Sequence, residues 1–209
     1  MKKLLLTSAG FENPKIGEKF LELFSKPASE IKVLFIPTAS RTEEELFYVE
    51  KSKQELLNLG ILKNNIINFN LDKELSEEEL NIFDSIYICG GNTFYLLHKL
   101  RESKFDEVIK KLVNNGIVYV GASAGSMVLG PDIGLTALPD TNDVNLKNTK
   151  GLNLVNVAIS PHYCKEEEKM VRKWQKKIDS EISSLAYKIL PLTDKQALLI
   201  IGNQETIIE

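Results

Sequence analysis

The stretch best suited to covalent chemistry is Gly121-Ala122-Ser123-Ala124-Gly125, a match to G-x-S-x-G. Ile117, Val118, Tyr119 and Val120 precede it and read as a short buried strand. In that motif a strand turns sharply into a helix and holds one serine at the tip of the bend. Gly121 and Gly125 let the backbone fold tightly, while Ala122 and Ala124 keep the bend free of bulk. Ser123 is expected in a strained conformation, its Oγ exposed and neighbouring N–H groups aimed at whatever it attacks. A plain Gly/Ala turn has the same letters, so the partners of the serine decide the matter.

A serine hydroxyl needs a base, and histidine is the usual one near neutral pH. The chain has two histidines. His98 lies in the helical run Phe94–Lys99, where a packed or surface role suffices; His162 directly follows a strand and Pro161, where side chains that do chemistry sit in α/β proteins. A carboxylate should orient the imidazole. The candidates are Asp194, in the turn Pro191–Lys195, and Asp143, in the loop Thr141-Asn142-Asp143, where substrate contact is the alternative. An oxyanion would need two backbone donors, and the N–H groups of Ala124 and Gly91 are the candidates. Gly90-Gly91-Asn92-Thr93 lacks the lysine of a phosphate-binding P-loop and the full dinucleotide pattern.

The elements that must position these groups follow from periodicity and punctuation. Strands are predicted at 3–7, 32–36, 66–69, 85–89 and 117–120, and helices at 14–24, 42–59, 94–100 and 105–115, with a short one capped by Ser76 and Glu79. Continuous apolar strands alternating with helices predict an α/β fold, a mostly parallel sheet with helices on both faces. Ligands sit at the carboxyl ends of such strands, so the loops at 8–10, 38–42, 90–93 and 121–126 should line the site. From Leu129 to Lys150 the composition turns to Gly, Pro, Asp, Asn and Thr, reading as a long active-site loop or irregular hairpin. Beyond it come a strand at 154–160, a charged helix at 165–183 with Met170, Val171, Trp174 and Ile178 toward the core, strands at 186–190 and 196–201, and a terminal strand at 205–208. No repeat or linker divides the chain, which reads as one domain, 1–209.

Bulk properties narrow the classes. A net charge of −3 gives no basic field for nucleic acid. No apolar run approaches the roughly 20 residues of a membrane span, and the three leucines after Lys2-Lys3 are too few for a secretion signal. Cys89 and Cys164 form no C-x-x-C pair, which points to the reducing cytoplasm; Cys89 closes an apolar strand and reads as a small buried hydrophobe. No His, Cys and carboxylate cluster has metal-ligand spacing, and no cofactor is expected.

In chain order, Ile36-Pro37-Thr38-Ala39-Ser40, Gly90-Gly91-Asn92-Thr93-Phe94, Gly121–Ser126, Thr141-Asn142-Asp143, Pro161-His162-Tyr163 and Leu192-Thr193-Asp194 together resemble the peptidase E (aspartyl dipeptidase) and cyanophycinase family of serine peptidases. The resemblance implies a three-layer sandwich like the class I glutamine amidotransferases, with nucleophile Ser123, base His162, acid Asp194 and oxyanion donors Gly91 and Ala124. Asn92 and Asp143 are assigned to substrate contact. The implied activity is exopeptidase hydrolysis of short peptides, including dipeptides with N-terminal Asp, through an acyl-enzyme. β-Aspartyl cleavage and a non-catalytic binding protein are the alternatives. The expected partner is a small peptide, with no nucleic acid or membrane, and the protein is expected to be a monomer or homodimer. Two departures stand out. Ala122 occupies the family's usual elbow tryptophan position, and Cys164–Lys169 does not match its arginine-bearing stretch after the histidine.

Overall fold

Leu, Ile and Val side chains on both faces of the inner strands decide the architecture. The computed structural model describes residues 1–73, 75–137, 139–163 and 185–209. The elements are β1 (Lys3–Thr7), α1 (Pro14–Leu21), β2 (Val33–Ile36), α2 (Glu43–Asn58), β3 (Ile66–Asn68), α3 (Glu77–Leu80), β4 (Ser85–Ile88), α4 (Thr93–Glu102), α5 (Phe105–Asn114), β5 (Val118–Ala122), α6 (Ala124–Met127), β6 (Val157–Ser160), β7 (Lys188–Pro191), β8 (Ala197–Ile201) and β9 (Gln204–Ile208). A seven-stranded sheet runs β3-β2-β4-β5-β1-β8-β9. Its first five strands are parallel; β8 pairs antiparallel to β1, and β9 antiparallel to β8.

Alternation along the strands sends side chains into two cores. Leu4, Leu6, Leu34, Ile36, Ile86, Ile88 and Tyr119 pack on one face with Leu96, Leu97 and Leu100 of α4 and Ile109 and Val113 of α5. Leu5, Val33, Phe35, Tyr87, Val118 and Val120 pack on the other with Ile16 and Phe20 of α1 and Val49 and Leu56 of α2. Both faces of the sheet are therefore covered, giving three layers and the continuous apolar strands seen in the sequence.

Local chemistry sets the ends of the helices. Thr42 and Glu45 close a capping box at the start of α2, where three glutamates face the positive end of the helix dipole. Gly60, at φ 89°, ends that helix in the left-handed conformation. Asn13 caps α1 ahead of Pro14.

Several boundaries differ from expectation. The helix after Ser123 is a single turn. The described residues of 129–150 are irregular, and among them Asp132 bridges to Lys150. The strand expected at 154 starts at Val157, because the Leu154 and Val155 N–H groups donate to the Leu129 carbonyl. It pairs in parallel with β7 in a separate two-stranded sheet. The helix expected at 165–183 lies outside the described residues. No described helix is long and apolar enough to cross a membrane.

This topology brings distant residues together. Thr7 is registered with Ala122 on one side and Ala197 on the other, so the loop after β1 lies between the serine bend and the turn before β8. Ser160 is registered with Pro191, so the segments carrying His162 and Asp194 leave neighbouring strand ends.

Candidate active site

Ser123 has φ 48° and ψ −110°, a combination that costs a non-glycine residue energy and persists only when its surroundings impose it. Here they do. Ser123 N–H donates to Thr7 O at 3.0 Å, Ser126 Oγ donates to Thr7 O and Gly121 O at 2.8 and 2.7 Å, and Tyr119 Oη holds Gly125 O at 2.6 Å. The motif's glycines are explained by contact rather than by φ. A Cβ on Gly121 would stand 2.5 Å from the Gly125 carbonyl, and one on Gly125 would stand 2.3 Å from Ile88 O.

His162 Nε2 lies 3.0 Å from Ser123 Oγ, and His162 Nδ1 lies 2.7 Å from Asp194 Oδ1. The carboxylate can only accept, so the network assigns the ring proton to Nδ1 and leaves the Nε2 lone pair for the serine hydroxyl. Hydrogen bonding from His162 holds the Asp194 carboxyl below the usual carboxylate range, against the opposing effect of partial burial. His162 itself has φ 57°. Its N–H donates at 2.7 Å to Ser8 Oγ, which in turn donates at 3.0 Å to Asp194 Oδ1. The buried Ser8 hydroxyl thus ties the histidine backbone to the aspartate side chain.

Gly91 has φ 120°, and a Cβ there would stand 2.3 Å from Ala39 O, so only glycine fits. Its loop is fixed by Asn92 N–H to Ala39 O at 3.0 Å and Ser40 Oγ to Gly90 O at 2.8 Å. A Cβ on Gly90 would stand 3.2 Å from Ser123 Cβ, so this loop packs directly on the serine. Gly91 N–H finds no acceptor among the described residues, and Ala124, the first residue of α6, has no intrahelical acceptor for its own N–H.

The other expected residues go elsewhere. Asn92 Oδ1 accepts from Tyr95 N–H as the cap of α4, and its Nδ2 donates to Thr141 O. Asp143 pairs with Arg41 at 2.8 Å, and that guanidinium lies 4.1 Å from the centre of the Tyr95 ring. Neither is among the described residues lining the cavity that holds Ser123. His98 sits on the body of α4. Burial pushes the Cys89 thiol well above its ordinary range, as suits a packed hydrophobe.

That cavity measures about 460 Å³ and brings Ser123, His162, Asp194, Gly91 and Ser8 to one space. The loop at 8–10 lines it as expected, although Ser8 was given no role of its own, while Glu12, Lys51 and Glu55 are lining residues that reasoning from sequence missed. Outside the cavity lining, Asp140 accepts the Thr93 N–H at 2.7 Å, and burial raises its carboxyl while hydrogen bonding from Thr93 opposes the rise. Of the three glutamates that open α2, read in the sequence only as a helix start, Glu45 also lines the cavity.

A parallel three-layer fold with a serine bend, an imidazole and a carboxylate in line defines a hydrolase of the serine type. Residues 4–208 match the sequence pattern of peptidase family S51. An uncharacterized peptidase of Listeria monocytogenes is 35% identical over 98% of this chain and 97% of its own length. Peptidase E of Haemophilus influenzae is 32% identical over 77% of this chain and 72% of its own. A crystal structure of a candidate peptidase E from Listeria monocytogenes superposes with a TM-score of 0.81 at 33% identity, covering 100% of this chain and 98% of that one. The chain belongs to peptidase family S51 and is a serine peptidase.

Proposed function

We propose that the protein hydrolyses short peptides through Ser123, His162 and Asp194. The reading rests on one observation: a single imidazole lies within hydrogen-bond reach of both the strained Ser123 hydroxyl and the Asp194 carboxylate. His162 Nε2 takes the proton of Ser123 as Oγ attacks the scissile carbonyl, and Asp194 steadies the imidazolium that forms. The oxyanion rests on the N–H groups of Gly91 and Ala124. His162 then protonates the leaving amine, and the same imidazole activates the water that releases the acyl group. Ser8 acts as a positioning residue, holding the histidine backbone and the aspartate together. A cavity of about 460 Å³ is of a size for a short peptide rather than a folded protein, and exopeptidase action on such peptides is the mode we assign. Buried, reduced Cys89 is in keeping with a cytoplasmic setting.

A fluorophosphonate probe with mass-spectrometric mapping tests the scheme. Ser123 should be the labelled residue, and Ser123→Ala should lose both labelling and peptide hydrolysis while keeping the melting temperature of the parent. A Ser123→Ala protein that still hydrolyses peptides rejects the scheme.

A further inference from the structure

The cavity does not end at the triad. It continues to a wall formed by α2 and the loop after β1, where Glu12, Lys51, Ser52 and Glu55 face the same space as Ser123. Among the described lining residues four are carboxylates, Glu12, Glu45, Glu55 and Asp194, against one ammonium, that of Lys51. Among these described residues three negative charges are thus in excess. Most of the carboxylates are already committed. Glu12 pairs with Lys51, Glu45 accepts the Arg41 and Thr42 N–H groups at the start of α2, and Asp194 belongs to His162. Glu55 is different. Its Oε2 accepts one backbone N–H, from Phe11 at 2.8 Å, and the residue is partly buried. Burial raises its carboxyl above the usual range, and the Phe11 N–H and the Lys51 charge offset that only in part. Gly10 keeps this wall open: a Cβ there would stand 2.8 Å from Glu55 Oε2 and 3.0 Å from the Tyr87 hydroxyl.

We infer that Glu55 is a specificity-determining residue that directs this peptidase toward substrates whose residue beside the scissile bond carries a basic side chain, and away from acidic ones. This rests on the hydrolytic reading of Ser123 given above. An aspartyl or glutamyl side chain would add a fourth negative charge to the three in excess among the described lining residues. A single α-ammonium would leave the excess largely in place. A lysyl or arginyl side chain places a second cation where the uncommitted carboxylate stands. The direction is opposite to N-terminal aspartate recognition, and it agrees with the unmatched arginine stretch after His162.

Binding to the full-length Ser123→Ala protein tests this without relying on turnover. Calorimetry would compare lysinamide, norleucinamide, which keeps the α-ammonium and the chain length but not the side-chain charge, and aspartic acid α-amide. Lysinamide should bind at least about tenfold more tightly than either, in line with a charge-assisted hydrogen bond. Adding Glu55→Gln should erase the difference from norleucinamide; glutamine can still accept the Phe11 N–H, so the melting temperature should be kept. Aspartic acid amide binding as tightly as lysinamide overturns the inference. So does norleucinamide matching lysinamide, a preference that survives Glu55→Gln, or no detectable binding of lysinamide at millimolar concentration. Failure of the probe to label Ser123 in the parent protein would instead reject the hydrolytic reading and leave these affinities to be judged separately.

Discussion

The two halves of the active site are built in different ways. Ser123 leaves the middle of the seven-stranded sheet, and its bend is held by buried hydrogen bonds and by glycine contacts that admit no side-chain atom. His162 and Asp194 leave a two-stranded sheet, and their side chains are 49% and 53% exposed. Burial can hold Ser123 in a costly backbone geometry, because moving it would break several contacts at once. His162 and Asp194 are instead aligned by hydrogen bonds to each other and to Ser8, in the loop that leaves β1 of the large sheet. The strained half should therefore respond to changes of shape, and the exposed half to changes of hydrogen bonding.

The largest effect should come from the shape of the buried half. Gly125→Ala puts a methyl group 2.3 Å from Ile88 O, with Ile88 C at 3.0 Å, and backbone atoms cannot step aside as a flexible side chain can. A loss of about 3 kcal/mol or more is expected from such overpacking. Urea denaturation should show it as a lower midpoint, accompanied by loss of activity. An alanine variant as stable as the parent would mean that the bend tolerates more than its contacts allow.

Asp194→Asn comes next. An amide can present its NH₂ to Nδ1 and leave the imidazole in the wrong tautomer, so kcat should fall by roughly 10⁴-fold while KM changes little. The stability effect has a sign that pH exposes. The folded-state value of Asp194 is depressed, so its contribution is present above the unfolded carboxyl value of about 4 and is lost as pH falls through the lower folded value. The substitution should cost a little stability at neutral pH, because the group is half exposed, and nothing at the acidic end. Melting curves of parent and variant across that range should converge as the pH drops.

Much of this was legible in the sequence, for reasons that differ by element. Strand β1 was readable because Leu4, Leu5 and Leu6 are buried on both faces of a parallel sheet, and the serine bend because its glycines answer a local crowding problem. The choice between Asp143 and Asp194 was not readable. It depends on Thr7 pairing with Ala197 and on Ser160 pairing with Pro191, contacts between residues far apart in the chain. Asn92, assigned to substrate contact, has its side-chain oxygen on the Tyr95 N–H as the cap of α4, a use that the folded helix start reveals. The loop at 8–10 was expected at the site, but nothing singled out Ser8 within it, since Ser-Ala-Gly after a strand is ordinary loop composition.

Ser8 also sets the scale for a smaller effect. Ser8→Ala deletes the acceptor for the His162 N–H and a donor to Asp194. At about 1 kcal/mol for each of the two hydrogen bonds, kcat should fall by up to about thirtyfold, with KM nearly unchanged. The positioning role predicts more than a loss of stability: the fluorophosphonate labelling rate of Ser123 should fall in proportion to kcat. A Ser8→Ala enzyme with parental kcat and a lowered melting temperature would reduce Ser8 to a structural link.

The smallest effect belongs to Asp143, and it sharpens the contrast between an aspartate in the site and one beside it. Its carboxylate is spent on Arg41 at the surface, with both side chains more than a third exposed. Such a pair is screened by solvent and is worth about 0.5 kcal/mol. Asp143→Asn should leave kcat and KM within about twofold of the parent, since an exposed ion pair of that worth shifts a rate by no more than that even if all of it reached the site. The same steady-state assay used for Asp194→Asn decides between them. If Asp143→Asn is the more damaging of the two, the carboxylate beside His162 does not have the orienting role assigned to it, and the exposed half of the site must rearrange before it works.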